Sequence, residues 1–453
     1  MPGLGTDSRP GFFAFFAHLT SLPSGVPLLT AIRLLQVFAC AFRHAVALIV
    51  CDIPRWVFRR TSLAWAAGVR LATLLEDLGP TAIKLGQILS SRPDLIPPCV
   101  TMPLSRLQDQ LRPFSGEAAA RTVETALGRP LSEVFSEFGL RPVSAASIAQ
   151  VHRARLLDGR EVAVKIRRPG VEITVERDLR ALHTIARCLA RLPGMRLIPV
   201  HELVDEIMLP IYEQLDFELE AENNRTLRKN FYRAERIAIP ALVEELCTPA
   251  MLVMQYFPDL RKIGESELAP ADARDVALTG LRALYRMIFV DGFVHADMHP
   301  GNLLVRGRAE VVMLDTGLVV RLDKSTQTDF VDFFFALVNN AGRECARIIE
   351  KNAQWLSPRF SRDEFQQEIT QLIARHSALR SKDFEISGFV YQLIDTQRRC
   401  GVRGSTAFMM TVLAMVVYDG ICKQLYADCD FQKEARPFLI VGRYSGPKLA
   451  LVV

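Results

Sequence analysis

Apolar residues recur at helical spacing along most of the chain. The pattern runs from about Leu71 to Leu111, with a proline-rich break at RPDLIPP, and through residues 171–235, with a break near LPGMRLIPV. Residues 116–140 predict a helix followed by a connection. After Pro258 the pattern is again mostly helical. Most of the chain is therefore predicted to be helix.

Two hairpins are predicted to interrupt the helices. Asp158 and Gly159 separate two β-rich runs in SIAQVHRARLLDGREVAVKI, and an Asp-Gly pair in that position is a strong hairpin signal. The second hairpin is expected around Arg306–Arg308, in NLLVRGRAEVVMLD. Short strands are also expected at RIAIP and AMLVMQYF. The order of elements is a helical leader, a mixed lobe and a helical lobe, which predicts an α+β fold.

Length, charge and cysteine usage narrow the class of protein. A chain of 453 residues is too long for one simple core, so two or more lobes are expected. The net charge of +5 is too small to favour a nucleic-acid partner. The nine cysteines form no C-x-x-C pair, which indicates a reducing compartment without a disulfide framework or a zinc site. The predicted units are an apolar helical leader (1–70), a helical extension (71–115), a mixed lobe (116–258) and a helical lobe (259–453).

The leader is unusually apolar, with Asp7 as the single acidic residue in residues 1–51. The run VPLLTAIRLLQVFACAFRHAVALIVC is about as long as a membrane span, but Arg33, Arg43 and His44 interrupt it. A helix that packs on the protein or lies at a membrane surface is favoured, with core helices and a targeting segment as alternatives. Near the C-terminus, STAFMMTVLAMVVYDG is short for a span and predicts a buried helix.

The densest polar cluster lies in FVHADMHPGNLLV and the following VVMLDTGLV. Asp297, Asn302 and Asp315 form D-x-x-x-x-N, then a hairpin, then D-x-G, which is the spacing of a protein-kinase catalytic and metal-binding segment. Because Mg²⁺ takes oxygen ligands, Asn302 and Asp315 are predicted to bind it. Asp297 is predicted to orient or deprotonate the nucleophile.

Two alternatives for this cluster stay open at the level of sequence. The polar residues could simply cap strands, although three elements agree in order and spacing. His295, Asp297 and His299 could instead bind a transition metal through their H-x-D-x-H alternation. No further His/Cys cluster nearby completes such a site.

Lys165, in EVAVKI, lies on a strand that otherwise consists mainly of β-branched and small residues. Alone it could face solvent, but beside the downstream cluster it is predicted to hold nucleotide phosphates. QLDFELEAEN offers Asp216 and Glu220 on one helical face as partners, and a solvated acidic face is the alternative.

Several motifs of ordinary kinases are missing. No G-x-G-x-x-G precedes the first hairpin, where the chain instead reads PVSAASIAQVH, and no G-K-[ST] occurs. No A-P-E follows Asp315, and a Phe-rich helix is under way by about Phe330. The activation segment on which protein substrates dock therefore has no room.

Together these residues resemble the UbiB-type atypical kinase-like family, also called aarF-domain proteins, over roughly residues 71–335. That family has a two-lobe kinase fold, an alanine-rich loop and an N-terminal extension with K-x-G-Q, here Lys84–Gln87 in IKLGQ. Its E-x-D motif falls on Gln214–Asp216, so glutamine replaces the first acid. Ser144 and Ala149 also differ from the usual loop residues, and Thr316 replaces the usual phenylalanine.

The resemblance implies ATP binding with Mg²⁺, ATPase activity, and a link to ubiquinone synthesis and membrane lipids. It also implies that the K-x-G-Q helix covers the active site and excludes protein substrates. The implied regulatory residues are Lys84, Gln87 and Asp216. The implied nucleotide-binding residues are Ser144, Ala145, Ala146, Ser147, Lys165, Glu220, Met254 and Gln255.

The expected function is thus a Mg²⁺-dependent ATPase or small-molecule kinase that supports ubiquinone synthesis or membrane lipid metabolism. The alternatives are a nucleotide- or lipid-sensing scaffold with negligible turnover, and a protein kinase. Expected partners are ATP, quinone precursors or other isoprenoid lipids, a membrane surface and quinone-biosynthesis enzymes. The expected location is cytoplasmic and peripheral to the inner membrane in a bacterium, or mitochondrial in a eukaryote. Family members often have C-terminal membrane spans, which we expect this chain to lack.

Overall fold

The computed structural model describes most of the chain. The described residues are 26–52, 63–90, 96, 98–107, 113–191, 200–263, 268–377 and 385–444. The apolar run GFFAFFAHL and most of the predicted breaks RPDLIPP and LPGMRLIPV lie outside them.

Helices dominate the described residues. They are α1 Val26–Ala47, α2 Leu63–Leu78, α3 Pro80–Ser90, α4 Pro98–Leu104, α5 Gly116–Leu127, α6 Val171–Leu189, α7 Val200–Glu213, α8 Phe217–Asn230, α9 Pro270–Tyr285, α10 Lys324–Val338, α11 Gly342–Lys351, α12 Arg362–Ser377, α13 Ile386–Arg399, α14 Thr406–Leu425 and α15 Phe431–Tyr444. Two of them, α1 and α9, continue as π-helical turns over Leu48–Asp52 and Arg286–Asp291.

The strands are short. They are β1 Phe135–Phe138, β2 Ser144–Ala145, β3 Ala149–Leu156, β4 Glu161–Arg167, β5 Ile237–Ala238, β6 Met251–Gln255, β7 Arg261–Lys262, β8 Phe293–His295, β9 Leu303–Arg306, β10 Glu310–Met313, β11 Val319–Arg321, β12 Ala353–Leu356 and β13 Val402–Gly404.

Gly79 and Pro80 separate two of the N-terminal helices. Gly79 has a positive φ of 97°, and Pro80 starts α3 directly after the end of α2. Helix α2 runs across residue 70, so the boundary predicted between leader and extension falls inside one helix. A small core that includes Leu75 and Leu104 joins α2, α3 and α4.

One sheet forms the smaller lobe, with the strand order β1-β3-β4-β6 and with β2 paired to β3. The predicted hairpin at Asp158–Gly159 is confirmed as the β3–β4 turn, in which Gly159 has φ 90°. The prediction of a helix and a plain connection over residues 116–140 is wrong in part, since the connection contains β1. Four residues with polar Ser136 and Glu137 in the middle are too few to show a strand period.

A second sheet follows, with the order β5-β10-β9-β7. The predicted hairpin around Arg306–Arg308 is confirmed as β9–β10, which turns at Gly307. The pairs β8–β11 and β12–β13 correct the expectation of an almost wholly helical chain after Pro258. These strands have three or four residues each, and their pairing partners are distant in sequence.

The larger lobe has the main hydrophobic core. Helix α14 is buried there as predicted, and its Tyr418 hydroxyl donates to the carbonyls of Val276 and Ala277 in α9. Among the residues that the structure describes, two helical segments could cross a membrane by length and composition, Leu28–Asp52 and Thr406–Leu425, and 56% of the second is buried. The described residues thus form an α+β fold of two lobes with an N-terminal helical extension, as predicted.

Candidate active site

Lys165 is the centre of the candidate site. It lies on β4, and its Nζ donates hydrogen bonds to both carboxylate oxygens of Glu220, at 2.7 and 2.8 Å. The same Nζ lies 2.9 Å from Oδ2 of Asp315. The side chains of Lys165 and Glu220 are 13% and 3% exposed, so this ion pair is buried. One cation therefore joins a strand of the small lobe, a helix and the D-x-G segment.

The charges of this cluster act on one another. Burial alone would raise the pKa of Asp315, but the Lys165 charge and the Gly317 N–H outweigh burial. The charge of Lys84 adds to this effect, so the pKa of Asp315 lies below its usual value. Burial raises the pKa of Glu220 to about 7, although the Lys165 charge opposes it. Burial would lower the pKa of Lys165, but its two acidic neighbours raise it.

Helix α8 positions Glu220. Its N-cap is Asp216, whose Oδ1 accepts hydrogen bonds of 3.0 Å from two N–H groups of the first turn. Glu220 lies in the same turn, where the helix N-terminus favours an acidic side chain. The buried ring of Phe217 lies 5.4 Å from Nζ of Lys165. Asp216 thus has a structural role as the cap, and its regulatory role stays a prediction.

Thr316 ties the D-x-G segment to α8. It is buried, its hydroxyl donates to the carbonyl of Glu220 at 3.2 Å, and its own carbonyl accepts from Asn223 at 3.1 Å. Arg321 donates in turn to Oδ1 of Asn223 at 3.1 Å. The sequence indicated only that Thr316 replaces a larger phenylalanine of the family, and it did not indicate these hydrogen bonds. The position of Asn223, three residues after Glu220 on the same helical face, was the available signal.

Asp297 and Asn302 lie in the loop between β8 and β9. Nδ2 of Asn302 donates to Oδ2 of Asp297 at 2.9 Å and to its carbonyl at 3.1 Å. The N–H of Leu314 donates to the carbonyl of Asn302 at 3.1 Å, so Asn302 lies beside the residue before Asp315. The β9–β10 hairpin thus brings the predicted catalytic and metal-binding residues to one edge of the site.

The donor set at this edge fits Mg²⁺. Asn302 and Asp315 offer amide and carboxylate oxygens, which are the hard ligands that Mg²⁺ takes. The side chain of Asp315 is 42% exposed, which leaves room for water and phosphate oxygens to complete the shell. Metal binding by these residues stays a prediction.

The alternative H-x-D-x-H metal site is not supported. Nδ1 of His295 accepts from the N–H of Asp297 at 3.2 Å, and Nδ1 of His299 accepts from the N–H of Gly301 at 2.9 Å. Each histidine therefore uses a ring nitrogen on its own loop backbone. Within the described ranges, a set of three potential ligands close enough to share an ion occurs instead in α1 and α2, at Cys40, His44 and Asp77.

The alanine-rich loop, Ser144–Ser147, is held by Arg168, which sequence reasoning missed. Ser144 and Ala145 form β2, and Arg168 donates to the carbonyls of Ala146 at 3.2 Å and Ser147 at 3.3 Å. The guanidinium also lies over the ring of Phe114, and burial lowers its pKa. The only sequence signal for Arg168 was its place just after the strand with the lysine. Its partners are backbone carbonyls, which a motif does not display.

Met254 and Gln255 end the strand beside the one with Lys165. Met254 pairs with Ala163 across β6 and β4 and is buried. Gln255 is exposed, and its N–H donates to the carbonyl of Ala241 at 2.7 Å. Both residues thus lie at the edge of the small-lobe sheet, and their contact with a nucleotide stays a prediction.

Helix α3 brings the K-x-G-Q segment towards this site. Lys84 lies near enough for its charge to help lower the pKa of Asp315. Gln87 instead donates to the carbonyl of Leu107 at 3.3 Å, within the extension. A Cβ on Gly86 would lie 2.3 Å from a methyl group of Leu107, so glycine allows α3 to pack closely there. The regulatory roles of Lys84 and Gln87 stay predictions.

A strand lysine paired with a helical glutamate, together with D-x-x-x-x-N and D-x-G, defines an atypical kinase-like protein. Residues 106–349 match the ABC1 atypical kinase-like domain. A probable protein kinase UbiB of Pseudomonas fluorescens (strain Pf0-1) is 31% identical over 91% of this chain and 81% of its own length. Another, of Pseudomonas putida (strain F1), is 34% identical over 85% of this chain and 72% of its own length. The chain belongs to the ABC1 atypical kinase-like family.

A solved structure supports the fold. This chain is similar to Rv3197 from Mycobacterium tuberculosis, solved in complex with erythromycin, with a TM-score of 0.55. The match covers 88% of this chain and 99% of the Rv3197 chain. Sequence identity to it is 22%. At that identity the likeness shows the shared fold alone.

Proposed function

We propose that this protein binds Mg-ATP between its two lobes and acts as an ATPase or a small-molecule kinase. The observation that carries the proposal is the contact of Lys165 with both Glu220 and Asp315, at 2.7 and 2.9 Å. This is the arrangement in which a kinase-type lysine can receive the α- and β-phosphates of a nucleotide.

The remaining roles follow from the geometry. Asn302 and Asp315 would hold Mg²⁺, which when bound would neutralise charge on the phosphate oxygens. Asp297, whose carboxylate is fixed by Asn302 at 2.9 Å, would orient the attacking hydroxyl or water. The alanine-rich loop, held by Arg168 through two carbonyls, would cover the phosphates. In this reaction the protein mainly supplies positioning and electrostatic stabilisation.

Water or a small molecule is the proposed acceptor of the phosphoryl group. After Asp315 the chain forms β11 and then enters α10 at Lys324, so little chain is left on which a protein substrate could dock. Helix α3 also brings the Lys84 charge close to Asp315. Both features favour a small acceptor over a protein in trans.

The proposed biological setting is ubiquinone synthesis or membrane lipid metabolism. The resemblance to UbiB-type proteins and the relatives named probable protein kinase UbiB support it. The proposed location is the cytoplasm beside the inner membrane if the source is bacterial, or the mitochondrion if it is eukaryotic. Two helical segments that are apolar and long enough to cross a membrane are consistent with such a location.

Turnover of Mg-ATP by Asp297→Asn tests the assignment. We expect the variant to bind ATP with near wild-type affinity but to turn it over about 100-fold more slowly, because the nucleophile is no longer oriented. Asp332→Asn is the matched control, since Asp332 is 38% exposed and Asp297 is 35% exposed. Binding without turnover in the wild type would support the scaffold alternative instead, and equal turnover in all three proteins would remove Asp297 from the mechanism.

A further inference from the structure

Helix α1 and its π-helical continuation carry a broad apolar face that the rest of the protein does not cover. Over residues 28–52, which the structure describes completely, nine large apolar side chains are between 42% and 72% exposed. We call them the outer face: Leu28, Leu29, Ile32, Leu35, Phe38, Phe42, Val46, Ile49 and Val50. Single exposed apolar residues are ordinary, but a continuous exposed face of this size marks an interaction surface.

The ionisable groups Arg33, His44 and Asp52 of the same segment point the other way, towards the protein body, whereas the Arg43 side chain is 65% exposed. Arg33 forms a buried two-pronged ion pair with Asp178 of α6, at 2.7 and 3.0 Å, with side-chain exposures of 11% and 8%. Arg33 also donates to the carbonyl of Leu78 at 2.6 Å. At the far end, Asp52 accepts from Arg70 of α2 at 2.6 and 2.8 Å.

The middle of the helix is fixed through Asp77, at the end of α2. Nε2 of His44 lies 2.8 Å from Oδ2 of Asp77, and His44 is buried. The Arg43 guanidinium bonds to the same carboxylate and lies 3.8 Å from Sγ of Cys40. An arginine therefore already supplies the positive charge among Cys40, His44 and Asp77, so we do not assign a metal there.

This arrangement is the reverse of a surface helix in water, which turns its apolar stripe inward and its charges outward. Here the charged groups bind the protein and the apolar groups face outward. The free energy of such an arrangement is favourable only if the outer face meets an apolar environment.

We propose that the outer face of α1 lies in the surface of a lipid bilayer, with the helix axis parallel to the membrane plane. The polar contacts through Arg33, His44 and Asp52 then fix the kinase-like body rigidly against the lipid surface. This deepens the membrane location proposed above and does not depend on ATP turnover.

A spanning orientation conflicts with the neighbours of α1. Helix α6 packs along α1 and carries Glu172, Glu176, Arg177 and Arg180 beside the paired Asp178. If α1 crossed the membrane in this docked position, those charges would enter the hydrocarbon core, where each is costly. In the parallel orientation only the outer face enters the lipid, to the depth of an interfacial helix.

The width of the outer face favours lipid over a second copy of the chain. At about 100° per residue, its side chains cover roughly half of the helix circumference. A helix–helix seam between two copies would need the narrower a/d stripe. Apart from Arg43, whose exposed side chain is paired with Asp77, this face carries no charged residue, so binding to neutral lipid is expected, with little need for attraction to anionic headgroups.

Co-flotation of the full chain with phosphatidylcholine vesicles tests the proposal. Wild type should float, and Leu35→Ser/Phe42→Ser should bind at least tenfold more weakly with an unchanged melting temperature, because both side chains are exposed. The control is Leu140→Ser/Leu157→Ser, which removes exposed leucines of the small lobe and should float like wild type. ATP turnover without vesicles should be the same in all three proteins. If the wild type shows no turnover at all, that result would count against the proposed function and not against the membrane proposal.

Depth measurements test the orientation. A tryptophan is introduced in each of three variants, Leu28→Trp, Phe38→Trp and Ile49→Trp. Its quenching is measured as the difference from wild type, in vesicles whose lipids carry quenchers at several depths. The parallel orientation predicts one shallow depth for all three, whereas a spanning helix would place Phe38→Trp much deeper than the two ends. That result would overturn the proposal, as would failure of the wild type to float, or a vesicle-free dimer that Leu35→Ser/Phe42→Ser dissociates in sedimentation.

Discussion

At the scale of single residues, Lys165 is the position on which the site depends. Its ammonium group is shared between Glu220 and Asp315, and its side chain is only 13% exposed. Buried charges are costly unless they are paired, so removal of one partner leaves the other without compensation. The same residue is therefore expected to affect both ATP binding and stability.

Replacement of Lys165 by methionine should lower the free energy of unfolding by about 3 kcal/mol, since Glu220 would remain buried without its cation. Lys165→Met/Glu220→Gln should regain much of that loss, because the uncompensated charge is gone. Urea unfolding of the variants measures both values. The control is Arg225→Met, which breaks an ion pair with Glu244 that is about half exposed and should cost about 1 kcal/mol or less. Equal losses at both positions would contradict the buried-pair account.

At the scale of elements, a buried polar network joins β3 to the end of the extension. Nδ1 of His152 lies 2.7 Å from the carbonyl of Gly139, and Nε2 lies 2.8 Å from Nε2 of Gln150. The Gln150 amide in turn bonds to the backbone of Phe114 at 3.2 and 3.3 Å. The imidazole must therefore donate from Nδ1 and accept at Nε2, which requires the neutral ring.

The network predicts a pH dependence of stability. Burial lowers the pKa of His152, so the folded protein keeps this ring neutral where the unfolded chain is protonated. The contribution of the neutral His152 ring to the free energy of unfolding is fully present above the unfolded pKa of about 6.5. It is lost as the pH falls below that value. Urea unfolding should show that the free energy of unfolding declines less between about pH 8 and pH 5 in His152→Gln than in wild type. Identical slopes would remove His152 from the explanation.

The sequence was most informative where chemistry fixes residue type and spacing. Asp297, Asn302 and Asp315 could be found because the motif spacing and a hairpin signal agreed. Arg168 and Thr316 could not, because they act on backbone carbonyls that only the tertiary fold brings near. The strands β1, β8 and β11 were missed for a related reason, since three or four residues show no period and their pairing is long-range.

At the scale of the whole molecule, the extension connects the lobes to the leader. Helix α3 packs against α6 and α7 through Leu85 and Ile88, and it brings Lys84 near Asp315. Helix α2, which precedes α3, holds α1 through Asp77. The outer face and the proposed nucleotide site are therefore connected through a continuous set of packed helices.

Lys84→Ala tests whether the extension influences catalysis. Removal of a charge that lowers the pKa of Asp315 should change the KM for Mg-ATP or the turnover several-fold, while the melting temperature stays within a few degrees. Lys433→Ala, which removes an exposed lysine of α15, is the control for loss of a lysine. Wild-type kinetics in Lys84→Ala would mean that the charge of Lys84 does not influence catalysis.

The central claim is that Asp315 and its neighbours form a Mg-ATP site. The most direct measurement is hydrolysis of ATP by wild type and Asp315→Asn across a range of Mg²⁺ concentrations, with circular dichroism to verify the fold. We expect Mg²⁺-dependent turnover in the wild type and a loss of about 100-fold or more in Asp315→Asn, because the variant loses the anionic metal ligand. Unchanged, Mg²⁺-dependent turnover in a folded Asp315→Asn protein would contradict the assignment.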